Sequence, residues 1–450
     1  MAGPVRVAVI GSGPSGLYAA DELSKHGSVT VDVMDRLPCP YGLLRYGVAP
    51  DHLKMKSLET TLCKILERPT VRFLGGVELG SGISVAELRD FYDAVIYATG
   101  SPVDRRLAIP GEDLPGSFSA TEFVAWYCGH PDARVDAFTL DARAAVVVGV
   151  GNVAVDVTRI LAKTAHELGA TDMPEHVLKV LEASTVSDIY IVGRRGPAQA
   201  KFTTKELREL GELANADVVV DPAELVLDEA STELVATNKT VRRNLETLQE
   251  WSTRPLQGRP RRIHLRFLLA PAAVLGTERV EALQCERTTL DGSGGVSGTG
   301  QMVTLTAQLL LRSVGYRGLP LPGVPFDERA GVIPHVGGRV LRNGATAAGE
   351  YVVGWIKRGP TGVIGTNKVD AKETVEALLN DLDALPRAPH REPDAIIDRL
   401  ARRGVGVVTW AGWQAINAAE IALGTAAGRP RVKITSWETL LLAAAKASGG

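Results

Sequence analysis

Cysteine is scarce in this chain. Four are spread over 450 residues, at Cys39, Cys63, Cys128 and Cys285, and no two form a C-x-x-C pair. That spacing excludes a disulfide framework, a cysteine-rich zinc site and a thiol redox couple. An excess of charge of one sign is missing too: 50 Lys and Arg stand against 52 Asp and Glu, a formal net charge of -2. Nothing in that balance favours nucleic acid or an anionic membrane, so any charged partner must be met by a local patch. No apolar run reaches the ~20 residues a bilayer crossing requires. The first residues run directly into a strand pattern, so no signal or transit segment is expected and the protein is expected to be cytoplasmic. What remains is ordinary globular composition, with 45% hydrophobic and 23% charged residues and length enough for two or three domains.

Two βαβ units stand out. In the first, the β-branched run Val5 to Ile10 leads to the turn Gly11-Ser-Gly13-Pro-Ser-Gly16, a helix from Leu17 to Lys25 and a strand from Val29 to Met34. The spacing is G-x-G-x-x-G in the context a dinucleotide fingerprint needs. Gly11 permits a tight turn, Gly13 lets a pyrophosphate approach the backbone, and Gly16 lets helix and strand close up. The helix N-terminus supplies unpaired N–H groups and positive potential. Asp35 ends the second strand, where a carboxylate accepts ribose hydroxyls and repels a 2'-phosphate. This half is expected to take FAD or NAD rather than NADP.

The second unit begins at Ala144 to Val148, turns through Gly149-Val150-Gly151-Asn152-Val153-Ala154, continues helically from Val153 to Leu168 and returns as the strand Ile189 to Val192. Alanine at the third position is an accepted variant. Its second strand ends in Gly193-Arg194-Arg195, and two guanidiniums there suit a 2'-phosphate. NADPH is the expected ligand, provided the helical stretch Pro174 to Ala183 is an insertion in the crossover. The alternative is a solvated charge pair at a strand end.

Pro-rich crossings after Gly100 (Pro102, Pro110, Pro115) and after Gly315 (Pro320, Pro322, Pro325) suit exits from and returns to the first domain. The expected fold is α/β, with two Rossmann-like dinucleotide-binding domains, the NADP domain inserted into the FAD domain. The expected bounds are 1–104 and 326–450 for the FAD domain and 105–325 for the NADP domain. Gly292 to Gly300 reads as a surface turn between strands. Thr435 to Ala447 reads as a helix opened by Ser436.

Further blocks point to one family. They are Tyr41-Gly-Leu-Leu-Arg-Tyr-Gly-Val-Ala-Pro-Asp-His52, Gly193-Arg-Arg-Gly-Pro197, Phe202-Thr-Thr-Lys-Glu-Leu-Arg-Glu209, Ser313-Val-Gly-Tyr-Arg317 and Gly354-Trp-Ile-Lys-Arg-Gly-Pro-Thr-Gly-Val-Ile364. With both glycine turns, they make the chain resemble, over nearly its whole length, adrenodoxin reductase and the mycobacterial-type NADPH:ferredoxin reductases. The resemblance implies an FAD flavoprotein and ferredoxin–NADP(+) reductase. FAD would be held at Ser15, Asp35, Leu43, Leu79, Trp355 and the backbone of Gly362, Val363 and Ile364. NADP(H) would be held by Val150, Gly151, Asn152 and Val153, by Arg105, Arg194, Arg195 and Glu206, and close to Gly362. Val150 replaces a polar residue carried by many relatives. The resemblance also implies His52 and Glu209 as the active-site pair; Asp156, about one turn inside the second fingerprint helix, is a weaker candidate for orienting His52, the alternative being that it only satisfies backbone. On residue pattern alone, a lone histidine in a Pro-bearing loop is usually surface structure.

In that scheme hydride passes from NADPH to the flavin, which releases electrons one at a time to a ferredoxin-type iron-sulfur protein. Lys239, Arg242, Arg243, Arg254, Arg259, Arg261 and Arg262 form a basic stretch that would steer such an acidic partner, or else a solvated face interspersed with Glu246 and Glu250. Other readings are an electron-donating subunit of a larger flavoenzyme, like the small chain of glutamate synthase, and a nucleotide-binding redox sensor without turnover. An FAD-dependent monooxygenase would not need the second fingerprint, and a disulfide reductase would need the missing C-x-x-C.

Overall fold

The computed structural model describes residues 3–362 and 364–447. The chain divides into two units. One comprises the residues up to Val103, Cys128–Asp132 and the chain from Tyr316 onward; the other comprises Asp104–Tyr127 and Ala133–Gly315.

The first unit is built on a seven-stranded sheet. Its order is His335–Val336, Arg339–Arg342, Ala345–Val352, Ala94–Tyr97, Val5–Ile10, Val29–Asp35, Val71–Gly75. The last five run parallel, and the first two join by antiparallel pairing. Every residue of Val5–Ile10 is buried, as a strand covered on both faces must be. Alternate residues serve different cores. Val5, Val7 and Val9 pack with Leu17, Val375 and Trp413, while Ala8 and Ile10 pack with Leu74, Ile356 and Leu400. The chain goes from Val5–Ile10 outward through Val29–Asp35 to Val71–Gly75, then returns to the other side of Val5–Ile10 with Ala94–Tyr97. That reversal is a topological switch point, where α/β sheets bind ligands.

The second unit repeats the scheme. Its six strands are parallel, in the order Ser117–Ser119, Leu309–Arg312, Ala144–Val148, Asp188–Val192, Arg261–Arg266, Ala216–Val220. The switch point lies between Ala144–Val148 and Leu309–Arg312. An antiparallel sheet of Leu269–Leu275, Ala282–Leu290 and Val296–Thr306 packs its apolar residues with those of the parallel sheet.

Three local expectations need correction. The helix expected from Val153 to Leu168 stops at Ala162; Lys163 turns extended and a separate helix, Ala165–Leu168, starts under a Thr164–Glu167 capping box. The glycine-rich turn spans only the residues between Leu290 and Val296, because Gly298 and Gly300 are already in the long strand Val296–Thr306. The tail helix is Trp437–Ala445, capped by the Ser436 hydroxyl at Thr439 N.

Candidate active site

At the first turn, Gly11 has φ +113°, and a Cβ there would stand 2.5 Å from the Ala98 carbonyl oxygen at the end of the switch-point strand. A Cβ at Gly16 would stand 2.0 Å from the Gly11 oxygen. Only glycine fits either place. The helix Pro14–Leu23 starts without a side-chain cap, so its first N–H groups stay available to an anion. Asp35 is held ready at the end of its strand. Its Oδ2 accepts from Ser12 N at 2.8 Å and Ser12 Oγ at 2.6 Å, and its Oδ1 accepts from Leu37 N at 2.9 Å. Burial raises its pKa, while the Ser12 donors pull the other way.

A second segment lies on this turn. Tyr41 takes φ +83°, unusual for a bulky side chain, donates its N–H to the Ser12 carbonyl at 3.0 Å and packs edge-on against Trp413 at 5.8 Å. Gly42 follows at φ +49°; a Cβ there would sit 2.9 Å from Gly13 Cα. Leu43 opens the short helix Leu43–Tyr46 and remains 45% exposed, while Leu79 is buried. The helix is anchored from far along the sequence. Arg45 is buried, pairs with Glu420 Oε1 at 2.6 Å and lies over the Trp413 ring at 5.0 Å. Glu420 also takes Arg431 at 2.9 Å and Ile434 N at 2.9 Å, and Lys433 donates to the Arg45 carbonyl at 2.8 Å. Burial works against ionisation of Glu420, but Arg45 and Arg431 outweigh it and lower its pKa. Local sequence gave no sign of Glu420 or Lys433.

His52 is buried rather than on a surface loop. It stands immediately before the helix Leu53–Lys56, and its carbonyl accepts the N–H groups of Met55 and Lys56, both at 3.0 Å.

The strand Ala345–Val352 delivers Gly354, at φ +81°, to the same edge of the sheet; the short helix Trp355–Arg358 and then the helix Thr366–Asn380 follow. Trp355 donates to the Thr361 carbonyl at 3.2 Å and stacks on Tyr316 at 5.7 Å. Ser15 Oγ, in the first turn of the glycine-turn helix, bonds Asn367 Oδ1 at 3.0 Å, in the first turn of Thr366–Asn380. Two positive helix ends therefore meet beside the strand ends. Gly362 is exposed at φ +82° and Ile364 packs on the core; Val363 lies outside the described residues. An uncapped helix end and an oriented carboxylate fit the phosphate and ribose of FAD.

In the second unit, Gly149 takes φ +135°, and its Cβ would stand 2.1 Å from the Ser313 carbonyl oxygen, the same encounter Gly11 has with Ala98. Nothing lies within 4 Å of a Cβ built on Gly151. Val150 packs against Gly193, and its carbonyl accepts from Lys201 N at 2.8 Å. Asn152 Oδ1 accepts from Thr203 N at 2.8 Å, just before the helix Thr204–Gly211, and Val153 is partly buried in the first turn of its own helix. The extra helix Glu175–Glu182 does not displace the crossover. Ala144–Val148 pairs in register with Asp188–Val192, so Arg194 and Arg195 leave their strand at the level of the glycine turn.

Their backbone is fixed and their heads are not. The Arg194 carbonyl accepts from Thr288 Oγ1 at 2.8 Å and the Arg195 carbonyl from Leu268 N at 3.1 Å. Neither guanidinium has an ion pair or hydrogen bond among the described residues. Two uncompensated cations at this place suit a dianionic phosphate. Arg105 is exposed, with its N–H on the Gly315 carbonyl at 2.8 Å. Glu206 is buried and Glu209 half-buried; Arg159 stands 3.7 Å from the first and 3.3 Å from the second. Asp156 pairs with the same Arg159 at 2.8 Å, so its carboxylate neutralises a buried cation.

The basic stretch divides. Arg259 donates to the Ala216 carbonyl at 3.0 Å, Arg261 to the carbonyls of Ala162 and Lys163 at 2.9 Å, and Arg262 pairs with Asp188 at 3.0 Å. These three hold the unit together. Lys239, Arg242 and Arg243, in the first turns of the helix Lys239–Thr253, are exposed and make no ion pair among the described residues.

The family described as Pyridine nucleotide-disulphide oxidoreductase matches residues 5–210. The chain is 47% identical to the NADPH-ferredoxin reductase FprA of Mycobacterium tuberculosis (strain ATCC 25618 / H37Rv), over 97% of this chain and 98% of that protein. It is 38% identical to the mitochondrial NADPH:adrenodoxin oxidoreductase of Arabidopsis thaliana, over 98% and 96%. The solved structure of Mycobacterium tuberculosis FprA in complex with NADPH matches with a TM-score of 0.91 at 45% identity, covering 98% of this chain and 99% of that one. Twin switch-point turns and full-length similarity agree: the chain belongs to the adrenodoxin reductase family, among the FprA-type NADPH-ferredoxin reductases.

Proposed function

We propose that this protein is an FAD-dependent NADPH:ferredoxin reductase, with FAD on the first unit and NADPH on the second. The observation that carries the reading is the contrast at the two strand ends: a hydrogen-bonded carboxylate, Asp35, at one and two unpaired guanidiniums, Arg194 and Arg195, at the other. When bound, the flavin accepts a hydride and returns electrons singly.

The residues bind and orient. The Gly11–Gly16 turn and Ser15 receive the FAD pyrophosphate, Asp35 its ribose, and Leu43, Leu79, Trp355 and the Gly362–Ile364 backbone the rest of the cofactor. Val150 to Val153 receive the NADPH pyrophosphate through backbone N–H groups, so the apolar Val150 side chain is no obstacle. Arg194, Arg195 and Arg105 select the 2'-phosphate, and Glu206 helps seat the nicotinamide end. His52 and Glu209 manage a proton at the reacting end, where general acid–base help is modest beside alignment. The exposed N-terminal turns of Lys239–Thr253 steer an acidic iron-sulfur protein.

The test is anaerobic. FAD-loaded protein should bleach with NADPH far faster than with NADH, and reduce cytochrome c only when a ferredoxin is supplied. A yellow protein that NADPH does not bleach would favour the redox-sensor reading instead. Charge reversal at Arg242 and Arg243 should raise the KM for ferredoxin far more than that for NADPH; equal losses would contradict docking on that helix.

A further inference from the structure

Behind Trp355 lies a group of buried charges that the hydride scheme does not use. Lys357 and Arg358 are neighbours in the four-residue helix between Gly354 and Gly359, both at φ +81°. The Lys357 side chain is only 4% exposed, and its Nζ lies 2.8 Å from Asp370 Oδ1, 3.1 Å from Thr374 Oγ1 and 3.2 Å from Glu373 Oε2. Arg358 donates to Asp370 Oδ2 at 2.7 Å and to Asn367 Oδ1 at 2.6 Å. Asp370 Oδ2 also accepts the Gly354 N–H at 2.6 Å.

The charges do not cancel inside. Two cations face one buried carboxylate, because the Glu373 side chain is 59% exposed and screened by water. His335 adds no charge: burial, and then the charge of Lys357, lower its pKa. Burying ions is costly, and a tie of purely mechanical purpose is served as well by apolar side chains of similar volume. The group also reaches the glycine turn, since Asn367 bonds both Arg358 and Ser15.

We infer that Lys357, Arg358 and Asp370 form a positioning and charge-setting device for the flavin. They hold the Gly354–Gly359 backbone and bias the cofactor toward its reduced, electron-rich form. This rests on the reading that FAD lies along this strand edge. The excess cation and the N-terminus of Thr366–Asn380 act with the same sign there.

The experiment compares FAD-loaded Lys357→Met, Arg358→Gln and Asp370→Asn with the unaltered protein, measuring FAD per chain and the two-electron reduction equilibrium by anaerobic dye-coupled titration. Loss of either cation should shift the equilibrium toward oxidised flavin by about tenfold, ~30 mV for a two-electron couple. Loss of the Asp370 charge should shift it the opposite way. A merely structural role would lower FAD content without opposite signs. Unchanged equilibria in Lys357→Met and Arg358→Gln, or a shift of the same sign in Asp370→Asn, would overturn the inference. If Asp370→Asn does not fold, the two cation variants decide alone. Unaltered protein that takes up no FAD would instead refute the preceding reading.

Discussion

Around Gly11 and around Gly149 the backbone meets the same difficulty in the same way, yet the two turns live in different surroundings. Each puts a left-handed glycine against the carbonyl at the end of the switch-point strand, Ala98 in one unit and Ser313 in the other. Beyond that point they part. The first closes with Gly16, pressed on the Gly11 oxygen, whereas the second admits Ala154. The first is overlaid by Tyr41 and Gly42, whereas a Cβ at Gly151 would meet nothing within 4 Å. The first ends its second strand in a satisfied carboxylate, the second in unsatisfied guanidiniums. Conserving the turn while changing its neighbours lets one backbone device serve two ligands.

The comparison can be broken most severely at its tightest point. Gly16→Ala forces a methyl into a backbone oxygen and should cost on the order of 4 kcal/mol or more, with loss of FAD. Ala154→Gly removes one fully buried methyl and should cost that plus the helix-propensity difference, about 2 kcal/mol together. Thermal melting with FAD counted per chain would check both, and equal costs would show that the two turns are packed alike.

The overlay is the next target. Glu420→Gln leaves Arg45 buried without its carboxylate and should cost about 3 kcal/mol. The pKa of Glu420 is lowered in the fold, so its contribution is complete above the unfolded value of about 4.3 and is lost as pH falls through the folded value. Melting curves of the two proteins should therefore differ at neutral pH and converge in acid. A difference that persists at the lowest pH would assign the loss to packing instead.

The strand ends come third. Replacing Arg194 and Arg195 by glutamine should raise the KM for NADPH on the order of 100-fold and leave that for NADH unaltered, as expected for two lost charge-assisted contacts. Steady-state kinetics with both nucleotides separate this from general damage. The smallest effect is expected at Thr288, which holds the Arg194 carbonyl. Thr288→Val should lower the preference for NADPH over NADH by roughly fivefold, the value of one hydrogen bond.

What the sequence disclosed and what it hid follow one physical division. The turns, their strands and the contrast between Asp35 and Arg194 with Arg195 were legible because short continuous apolar runs and the glycine spacing are local. Even the insertion Glu175–Glu182 was legible as a helix, though only strand register shows that it leaves Arg194 in place. Glu420, Lys433, Asn367 and Asp370 were not legible. Each looks like an ordinary polar residue, and Glu420 acts on a residue 375 positions away. The basic stretch misled for a related reason. Arginine at the start of a strand or in the loop before it looks like surface charge, but Arg261 and Arg259 spend theirs on backbone carbonyls. Resemblance suggested the proposed roles of His52 and Glu209, which residue pattern alone did not.

The scarcity of cysteine has a counterpart in burial. Burial pushes the Cys39 thiol up to about 11 and the Cys285 thiol up to about 12, so neither forms a thiolate at neutral pH. Electrons handled by this protein meet no reactive sulfur at those positions.

Gly42, lying over Gly13, bears finally on time. A ligand flanked by an anchored segment leaves more slowly than one resting on an uncovered turn. The first turn is thereby suited to a tenant that stays for the life of the protein, and the second to a visitor exchanged at every cycle.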